Sequence, residues 1–233
     1  MVKDLRSRSV HGKQSRHESR HAGKLKVGVD IPAPEEIRAF LEALEGRWRP
    51  MLLTAIFTGL RASELRGLRW EDVDLDNREL HVRQRVDYQN VAGPPKSAAG
   101  ERTIPLPSIA VNTLREHKLM AKDREGLVFP TGTGKPNYHG NIVRRGLLPA
   151  WIAAGVTNPD GSHKYTGLHA LRHFYASWLI NRKVDGGLEL PAKTVQERLG
   201  HSTIAMSLDT YSHLFRQADA HAEFEAAEKA LLG

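Results

Sequence analysis

The sequence contains no cysteine and few aromatic residues, which make up 6% of its 233 positions. Without cysteine there is no disulfide, no cysteine-ligated zinc site and no thiol nucleophile, and a reducing, cytoplasmic compartment is favoured. Long hydrophobic runs are also missing, since the longest apolar-rich stretch, 51–60, is too short to cross a bilayer. We therefore expect a soluble protein with no membrane partner.

Acidic residues are scarce only at one end of the chain. Residues 1–29 carry eight Lys or Arg against two acids, a net charge of +6, which leaves only +1 of the total +7 for the rest. Large apolar residues are nearly absent there, so this segment cannot offset its ordering entropy with a core of its own. It is predicted to be a basic, flexible tail or linker, either solvated or bound to nucleic-acid phosphates.

One folded domain is predicted to occupy residues 30–233. Apolar residues recur at helical spacing, and glycine or proline stands at the ends of the periodic segments, which predicts a mainly α-helical architecture. The predicted helices are one that includes Ile37, Phe40, Leu41 and Leu44, and others at 50–58, 60–67, 108–122, 137–154, 169–182, 192–199, 203–207 and 217–231.

Residues 73–105 have a different pattern, because apolar residues such as Leu80 and Val82 alternate with polar ones. Asp76-Asn77 has the composition of a turn. The pattern predicts one small antiparallel sheet with a mobile hairpin near Lys96. The fold class expected is therefore α+β, mainly α with a small antiparallel β-sheet.

One short segment contains three residues that can bind an anion or exchange a proton. His169, Arg172 and His173 are spaced i, i+3 and i+4, so a helix would place them on one face. Arginine offers a planar fork to two phosphate oxygens, and histidine exchanges a proton near neutral pH. An ordinary helix end with a histidine in the core explains this segment equally well.

Other segments contain candidates of the same kind. Arg61 directly follows the glycine that ends a predicted buried helix, and Glu64 could orient it; a surface ion pair is the alternative. After His201, Tyr211 lies in a predicted polar turn that would leave its hydroxyl free, although such a tyrosine is more often half-buried with a bonded hydroxyl. Lys96 by itself is typical of a solvated charge.

Taken in order, these segments resemble the tyrosine recombinase (phage integrase) family, from about Pro32 to Phe215. TGLRASEL is similar to the segment with the family's first catalytic arginine, and HALRH to its His-x-x-Arg motif. LGHSTIAMSLDTYSHL is similar to the segment with its C-terminal histidine and nucleophilic tyrosine. Several separated motifs in one order are far more specific than any single motif. The resemblance implies the integrase catalytic-domain fold and site-specific breakage and rejoining of DNA.

The resemblance also implies roles for the residues, with no metal, other cofactor or ATP. Tyr211 would attack the scissile phosphate, leaving a 3′-phosphotyrosyl bond and a free 5′-hydroxyl. Arg61 and Arg172 would bind the phosphate oxygens in the transition state, and His201 would add a hydrogen bond. Lys96 would protonate the leaving 5′-oxygen.

Three further residues would support these groups. The resemblance implies that His169 accepts and returns the tyrosine proton. Glu64 and His173 would orient the residues that contact the phosphate.

The partners implied are double-stranded DNA, a homotetramer on two duplexes, and accessory DNA-bending or directionality proteins. Family members usually carry a helical DNA-binding domain where this chain has only residues 1–29, and the loop 183–191 is longer than the family pattern. The last helix, with Phe224 and Leu231 on one side, would dock onto a neighbouring copy or pack on its own domain.

Two rival functions fit parts of the pattern: a type IB topoisomerase, and a DNA-binding module with an inactive site. Competent residue types at all six expected positions argue against the inactive module. A phosphate-binding loop at 132–135 is unlikely to form a nucleotide site, because its glycine spacing is wrong and Pro136 replaces the metal-binding Ser or Thr. His169 and His173 have zinc-ligand spacing, but no Glu follows His169, so no metal is expected.

Overall fold

The computed structural model describes residues 24–215 and 220–233, and these residues are mainly helical with two small antiparallel sheets. This confirms the predicted fold class. The helices are α1 Pro34–Ala43, α2 Arg49–Thr58, α3 Ala62–Gly67, α4 Ser108–Met120, α5 His139–Ile142, α6 Leu148–Ala153, α7 His169–Ile180, α8 Ala192–Leu199, α9 Ile204–Tyr211 and α10 Ala220–Leu232. The strands are β1 Val73–Asp74, β2 Glu79–Val82, β3 Arg85–Val86, β4 Ala92–Gly93 and β5 Arg102–Pro105.

Helices α2 and α7 pack against each other in the centre of the core. Helix α2 is buried along nearly its whole length, as its continuous apolar sequence predicts. It ends at Gly59, whose φ of +58° is unfavourable for residues with a Cβ atom. A Cβ there would also lie 2.3 Å from Cδ1 of Tyr175 in α7. Gly59 therefore permits both the close packing and the change of direction that brings Arg61 to the start of α3.

The prediction of a single sheet is wrong, because β1, β2 and β5 form one sheet while β3 and β4 pair separately. In the first sheet Leu80 lies opposite Ile104, and both are buried. The β3–β4 hairpin is held against α3 instead, since the Arg66 guanidinium donates to the carbonyl of Asp87 at 2.8 Å. Lys96 is not at the tip of this hairpin; it lies in the exposed connection that follows β4.

The predicted helix 203–207 is too short, because α9 continues to Tyr211. The Thr203 side chain accepts a hydrogen bond from the Met206 backbone and caps the helix. Ser207 and Tyr211, four residues apart, are both buried, so the buried face of the helix runs through to the tyrosine. Tyr211 is thus the last residue of a packed helix and does not lie in a polar turn.

The predicted helix 137–154 consists of α5, a π-helical segment Val143–Leu147, and α6. Gly146 lies in the π segment directly against Trp48, where a Cβ would come within 2.9 Å of the indole ring.

Residues 1–23 of the predicted basic tail lie outside the described residues. Leu25, just after them, accepts a hydrogen bond from His213 Nε2 at 2.6 Å. Among the described helices, none combines the length and apolar character needed to cross a membrane.

Candidate active site

The side chains of Arg61 and Arg172 meet at one turn of the chain, although Arg61 directly precedes α3 and Arg172 lies in α7. Arg172 in α7 donates through Nη2 to the carbonyl of Leu199 at 2.6 Å. Arg61 donates through Nη2 to the next carbonyl, that of Gly200, at 2.8 Å. The two guanidinium groups therefore bind neighbouring peptide oxygens and lie on the same side of the molecule.

Two glycines make this arrangement possible. Gly59 offers its carbonyl to Nη1 of Arg172 at 2.5 Å, so the turn that ends α2 also holds this arginine. Gly200 ends α8 with a φ of +62° and places His201 directly beyond the two carbonyls that the arginines bind. Helix ends are suited to this role because their last carbonyls lack partners within the helix.

Glu64 connects Arg61 to a further buried arginine. Its carboxylate accepts from Arg61 Nη1 at 2.8 Å and from Arg102 Nη2 at 2.9 Å. The Glu64 side chain is only 3% exposed and that of Arg102 only 5%. Burial alone would raise the pKa of the Glu64 carboxyl, but Arg102 and Arg61 outweigh it and lower the pKa below its usual value. Glu64 is thus held as a carboxylate between two cations.

Positive charge exceeds negative charge in this cluster. Three arginines, at positions 61, 102 and 172, surround the single carboxylate of Glu64. Within the described residues Arg172 forms no ion pair, and backbone carbonyls solvate it instead. Burial, with the charges of Arg61 and Arg102 added, lowers the pKa of Arg172 to about 10. Because this pKa stays well above neutrality, the cluster keeps its excess positive charge and is suited to an anion.

His201 and His173 are both neutral at physiological pH. Burial, followed by the charge of Arg172, lowers the pKa of His201 to about 4. His201 Nδ1 lies 2.8 Å from the Ser207 hydroxyl, which fixes the plane of the ring. Burial also lowers the pKa of His173 to about 4, with the neighbouring His169 as the next cause. A neutral imidazole can accept a proton from a hydroxyl or donate one hydrogen bond to an anion.

The Tyr211 hydroxyl contacts His173. The distance between its oxygen and His173 Nδ1 is 2.7 Å, and the tyrosine is only 2% exposed. Burial raises the pKa of this phenol to about 12, although the charge of Arg172 opposes the shift. The hydroxyl is therefore protonated and bonded in this structure, as the more conservative interpretation of its sequence proposes. The same bond gives it a proton acceptor in direct contact.

His169 and Lys96 stand outside these hydrogen bonds. The His169 ring is exposed at the first turn of α7 and lies edge-on to His173, with 5.1 Å between ring centroids. Although His169 keeps contact with solvent, neighbouring groups partly desolvate its ring, and this desolvation, followed by the charges of Arg172 and Arg61, lowers its pKa. Lys96 is exposed in the loop before β5, and the ion pairs found in the described part of the chain do not include it. The structure thus brings Arg61, Glu64 and Arg172 together at the turn that leads to His201, and pairs Tyr211 with His173, whose ring contacts His169. Of the eight sequence candidates, Lys96 is the one for which the described residues show no such contact.

The depressed histidine pKa values lead to a pH-dependent stability. The pKa of a histidine in an unfolded chain is about 6.5. As the pH falls from there toward 4, the unfolded state takes up protons first, so the free energy of unfolding is highest above this window and declines through it. We expect His173→Asn to lose less thermal stability than the wild type between about pH 7 and about pH 5.

Calorimetric melting at the two pH values measures this difference. His81→Asn is the matched control, because His81 lies in β2 and bonds Thr103 outside the cluster. It should leave the pH-dependent loss as large as in the wild type. Equal losses in the His173 variant and the wild type would rule out a depressed pKa at His173.

Arg102 is the main contact that sequence reasoning missed. Its partner Glu64 is 38 positions away, and a periodic pattern carries no information on such a pairing. In the sequence Arg102 is only a charged residue near the start of a predicted strand, which is typical of a solvated position, so no local signal identifies it. Among the described residues, no group of three or more His, Asp or Glu is arranged to hold a metal ion.

Comparison with known sequences finds one matching family profile and several similar recombinases and integrases. The sequence profile described as the phage integrase family matches residues 33–218. A protein named tyrosine recombinase XerC-like, from Caldanaerobacter subterraneus, is 30% identical over 225 residues, which cover 85% of this chain and 54% of that protein. Prophage integrase IntR of Escherichia coli is 27% identical and covers 80% of this chain and 48% of its own length. The chain thus spans about half the length of the curated relatives it matches.

Solved structures with the same fold include two integrases. The Tn1549 transposon integrase in complex with circular intermediate DNA matches 88% of this chain and 68% of its own, with a TM-score of 0.68 and 23% identity. The catalytic domain of bacteriophage HP1 integrase matches 83% of this chain and 90% of its own, with a TM-score of 0.51 and 20% identity. At these identities the similarity establishes the fold.

Proposed function

Because this chain belongs to the phage integrase family, whose profile covers residues 33–218, we propose that it cuts and rejoins DNA at a specific site through a covalent bond to Tyr211. The observation that carries the proposal is the convergence of Arg61 and Arg172 on neighbouring carbonyls, in a cluster with more positive than negative charge. Such a cluster is matched to one phosphodiester group, which bears a single negative charge and accepts hydrogen bonds on two free oxygens.

In the proposed reaction, the Tyr211 oxygen attacks the scissile phosphorus in line. A bond forms between that oxygen and phosphorus, and the bond from phosphorus to the 5′-oxygen breaks. Negative charge grows on the two non-bridging oxygens, where the guanidinium groups of Arg61 and Arg172 stabilise it. His201, held by the Ser207 hydroxyl, supplies a further hydrogen bond. Attack by a 5′-hydroxyl on the phosphotyrosine reverses the step, so rejoining needs no ATP.

Two protons move in this scheme. The tyrosine proton passes to His173, because Nδ1 of this neutral ring lies 2.7 Å from the hydroxyl. His169, edge-on to His173, can hold that proton next or hydrogen-bond the phosphate. We assign the proton for the leaving 5′-oxygen to Lys96, whose exposed loop is accessible to DNA. Since Tyr211 is buried before DNA binds, the cleavage-competent state requires that its hydroxyl become accessible to the phosphate.

Assembly on DNA is part of the proposal. Exchange of strands between two duplexes requires four active sites, and we propose a homotetramer that DNA holds together. The last helix supports this assignment, since its Phe224 is 77% exposed and its Leu231 is 85% exposed. These side chains do not pack on the described part of their own chain and are available to a neighbouring copy.

Trapping the covalent intermediate tests the function directly. Duplexes with a nick beside a randomised segment are incubated with the chain, together with duplexes taken from the DNA that flanks its coding sequence. A short fragment released at the nick cannot return, so the adduct accumulates and is seen as a slower band after denaturation. We expect an adduct that protease shortens, that forms equally in excess EDTA, and whose DNA shows a preferred sequence.

Other outcomes would assign a different function. Relaxation of a supercoiled plasmid without sequence preference would indicate a type IB topoisomerase. Specific DNA binding with no adduct on any duplex of the pool would indicate a DNA-binding module. An adduct that disappears in EDTA would contradict the metal-free mechanism.

A further inference from the structure

Arg102 lies at the junction of three segments that the proposed reaction uses. It is the first residue of β5, and its side chain is only 5% exposed. Its guanidinium donates to the Glu64 carboxylate, to the carbonyl of Arg198 at 2.8 Å and to the carbonyl of Gly100 at 2.9 Å. Each acceptor belongs to a different part of the chain, so a single planar group fixes their relative positions.

The first connection leads to Arg61. Glu64 is shared, because its Oε1 atom accepts from Arg61 Nη1 while its Oε2 atom accepts from Arg102 Nη2. Oε2 also accepts from the Arg61 backbone at 2.9 Å. Replacing Arg102 would leave the carboxylate bonded only to Arg61 itself, so the Arg61–Glu64 pair would lose its side-chain contact with β5.

The second connection leads to the turn that carries His201. The carbonyl of Arg198 immediately precedes the carbonyls of Leu199 and Gly200, which bind the two arginines. At Gly200 a Cβ would come 2.8 Å from Nη1 of Arg102, so the turn and the guanidinium are in direct contact. Arg102 therefore holds the end of α8 at the carbonyl that directly precedes the one bound by Arg172.

The third connection leads to the loop that carries Lys96. Gly100 ends that loop, and a Cβ there would lie 2.6 Å from Cβ of Pro95, the residue before Lys96. The two ends of the loop thus touch, and Nη1 of Arg102 binds the carbonyl of one of them. Arg102 thereby anchors the end of the loop that carries Lys96.

Stability alone is a weak explanation for such a pair. A buried ion pair must offset a large desolvation cost, and an apolar pair of similar volume is often as stable. Here the two charges of Arg102 and Glu64 lie beside the proposed phosphate site, where they orient other charges. We propose that Arg102 is a positioning residue for DNA cleavage, which holds Arg61, the His201 turn and the Lys96 loop in one arrangement. This inference rests on the proposed function.

A double-mutant cycle tests the coupling. Single-turnover cleavage is measured on the duplex recovered from the randomised pool, with the wild type, Arg61→Ala, Arg102→Lys and the double variant. Lysine keeps the charge but cannot reach all three acceptors, so we expect Arg102→Lys alone to slow cleavage by about 30-fold. In the Arg61→Ala background the same change should cost less, at most about 10-fold, because one of the three segments through which Arg102 acts has already lost its phosphate-binding group.

The matched control is Arg69→Lys, which weakens a comparable ion pair with the buried Asp72, away from the cluster. Its fold effect on the cleavage rate should be the same in the wild-type and Arg61→Ala backgrounds. If Arg102→Lys melts below the assay temperature, Glu64→Gln replaces it in the same cycle. Equal fold losses of Arg102→Lys in both backgrounds would overturn the inference while the wild-type adduct stands. A wild-type chain that forms no adduct overturns the proposed function, and this inference with it.

Discussion

Tyr211→Phe should abolish the covalent protein–DNA adduct while leaving the fold intact. The phenylalanine ring fills the same buried space, so only the hydroxyl and its bond to His173 are lost. One buried hydrogen bond is worth about 1 kcal/mol, which a domain of this size tolerates. Without the oxygen no bond to phosphorus can form, and we expect adduct formation to fall by at least about 1,000-fold. Denaturing gels of the nicked-duplex reaction measure it.

Tyr165→Phe provides the matched control. Tyr165 is also buried, and its hydroxyl donates to Glu36 at 2.7 Å, so the substitution removes an equivalent bond elsewhere in the domain. This variant should keep adduct formation within about 3-fold of the wild type, with a comparable change in melting temperature. An adduct of unchanged yield in Tyr211→Phe would show that another residue is the nucleophile.

The helices could be predicted from the sequence because the signals that mark their ends are local. Helix α2 was predicted to end at Thr58 and α8 to span 192–199, and both bounds agree with the structure. In each case a glycine with a positive φ follows an apolar periodic segment. The same two turns supply the carbonyls that bind Arg61 and Arg172, so the residues that ended the predicted helices also build the site.

The errors arose where the signal is not local. Strands β3 and β4 have two residues each, too few for an alternation, and their separation from the other sheet depends on the hydrogen bonds of Arg66 across the chain. The extent of α9 depends on the burial of Tyr211, which the polar sequence around it does not indicate. Spacing placed His169 and His173 on one face, but only tertiary packing determines which ring contacts the hydroxyl.

The roles of the site residues are still predictions, and Arg172 is the one whose loss should have the largest effect after Tyr211. The carbonyls of Gly59 and Leu199 fix its guanidinium inside the cluster in which positive charge exceeds negative charge. We expect Arg172→Lys to lower the single-turnover cleavage rate by about 100- to 1,000-fold, the usual loss when a preorganised donor to a developing oxyanion is removed. Lysine cannot bind both carbonyls and a phosphate together.

This variant needs a control because Arg172 is buried. The substitution leaves at least one of the carbonyls of Gly59 and Leu199 without a hydrogen bond, which lowers the free energy of unfolding by about 1 to 3 kcal/mol. Arg66→Lys imposes the same kind of damage outside the cluster, since Arg66 is equally buried and donates to the carbonyls of Asn137 and Asp87. Both variants should melt earlier by similar amounts, but only the first should lose cleavage by more than about 10-fold at a temperature where both are folded. Similar activity losses in the two would mean that Arg172 supports the fold and does not act on the phosphate.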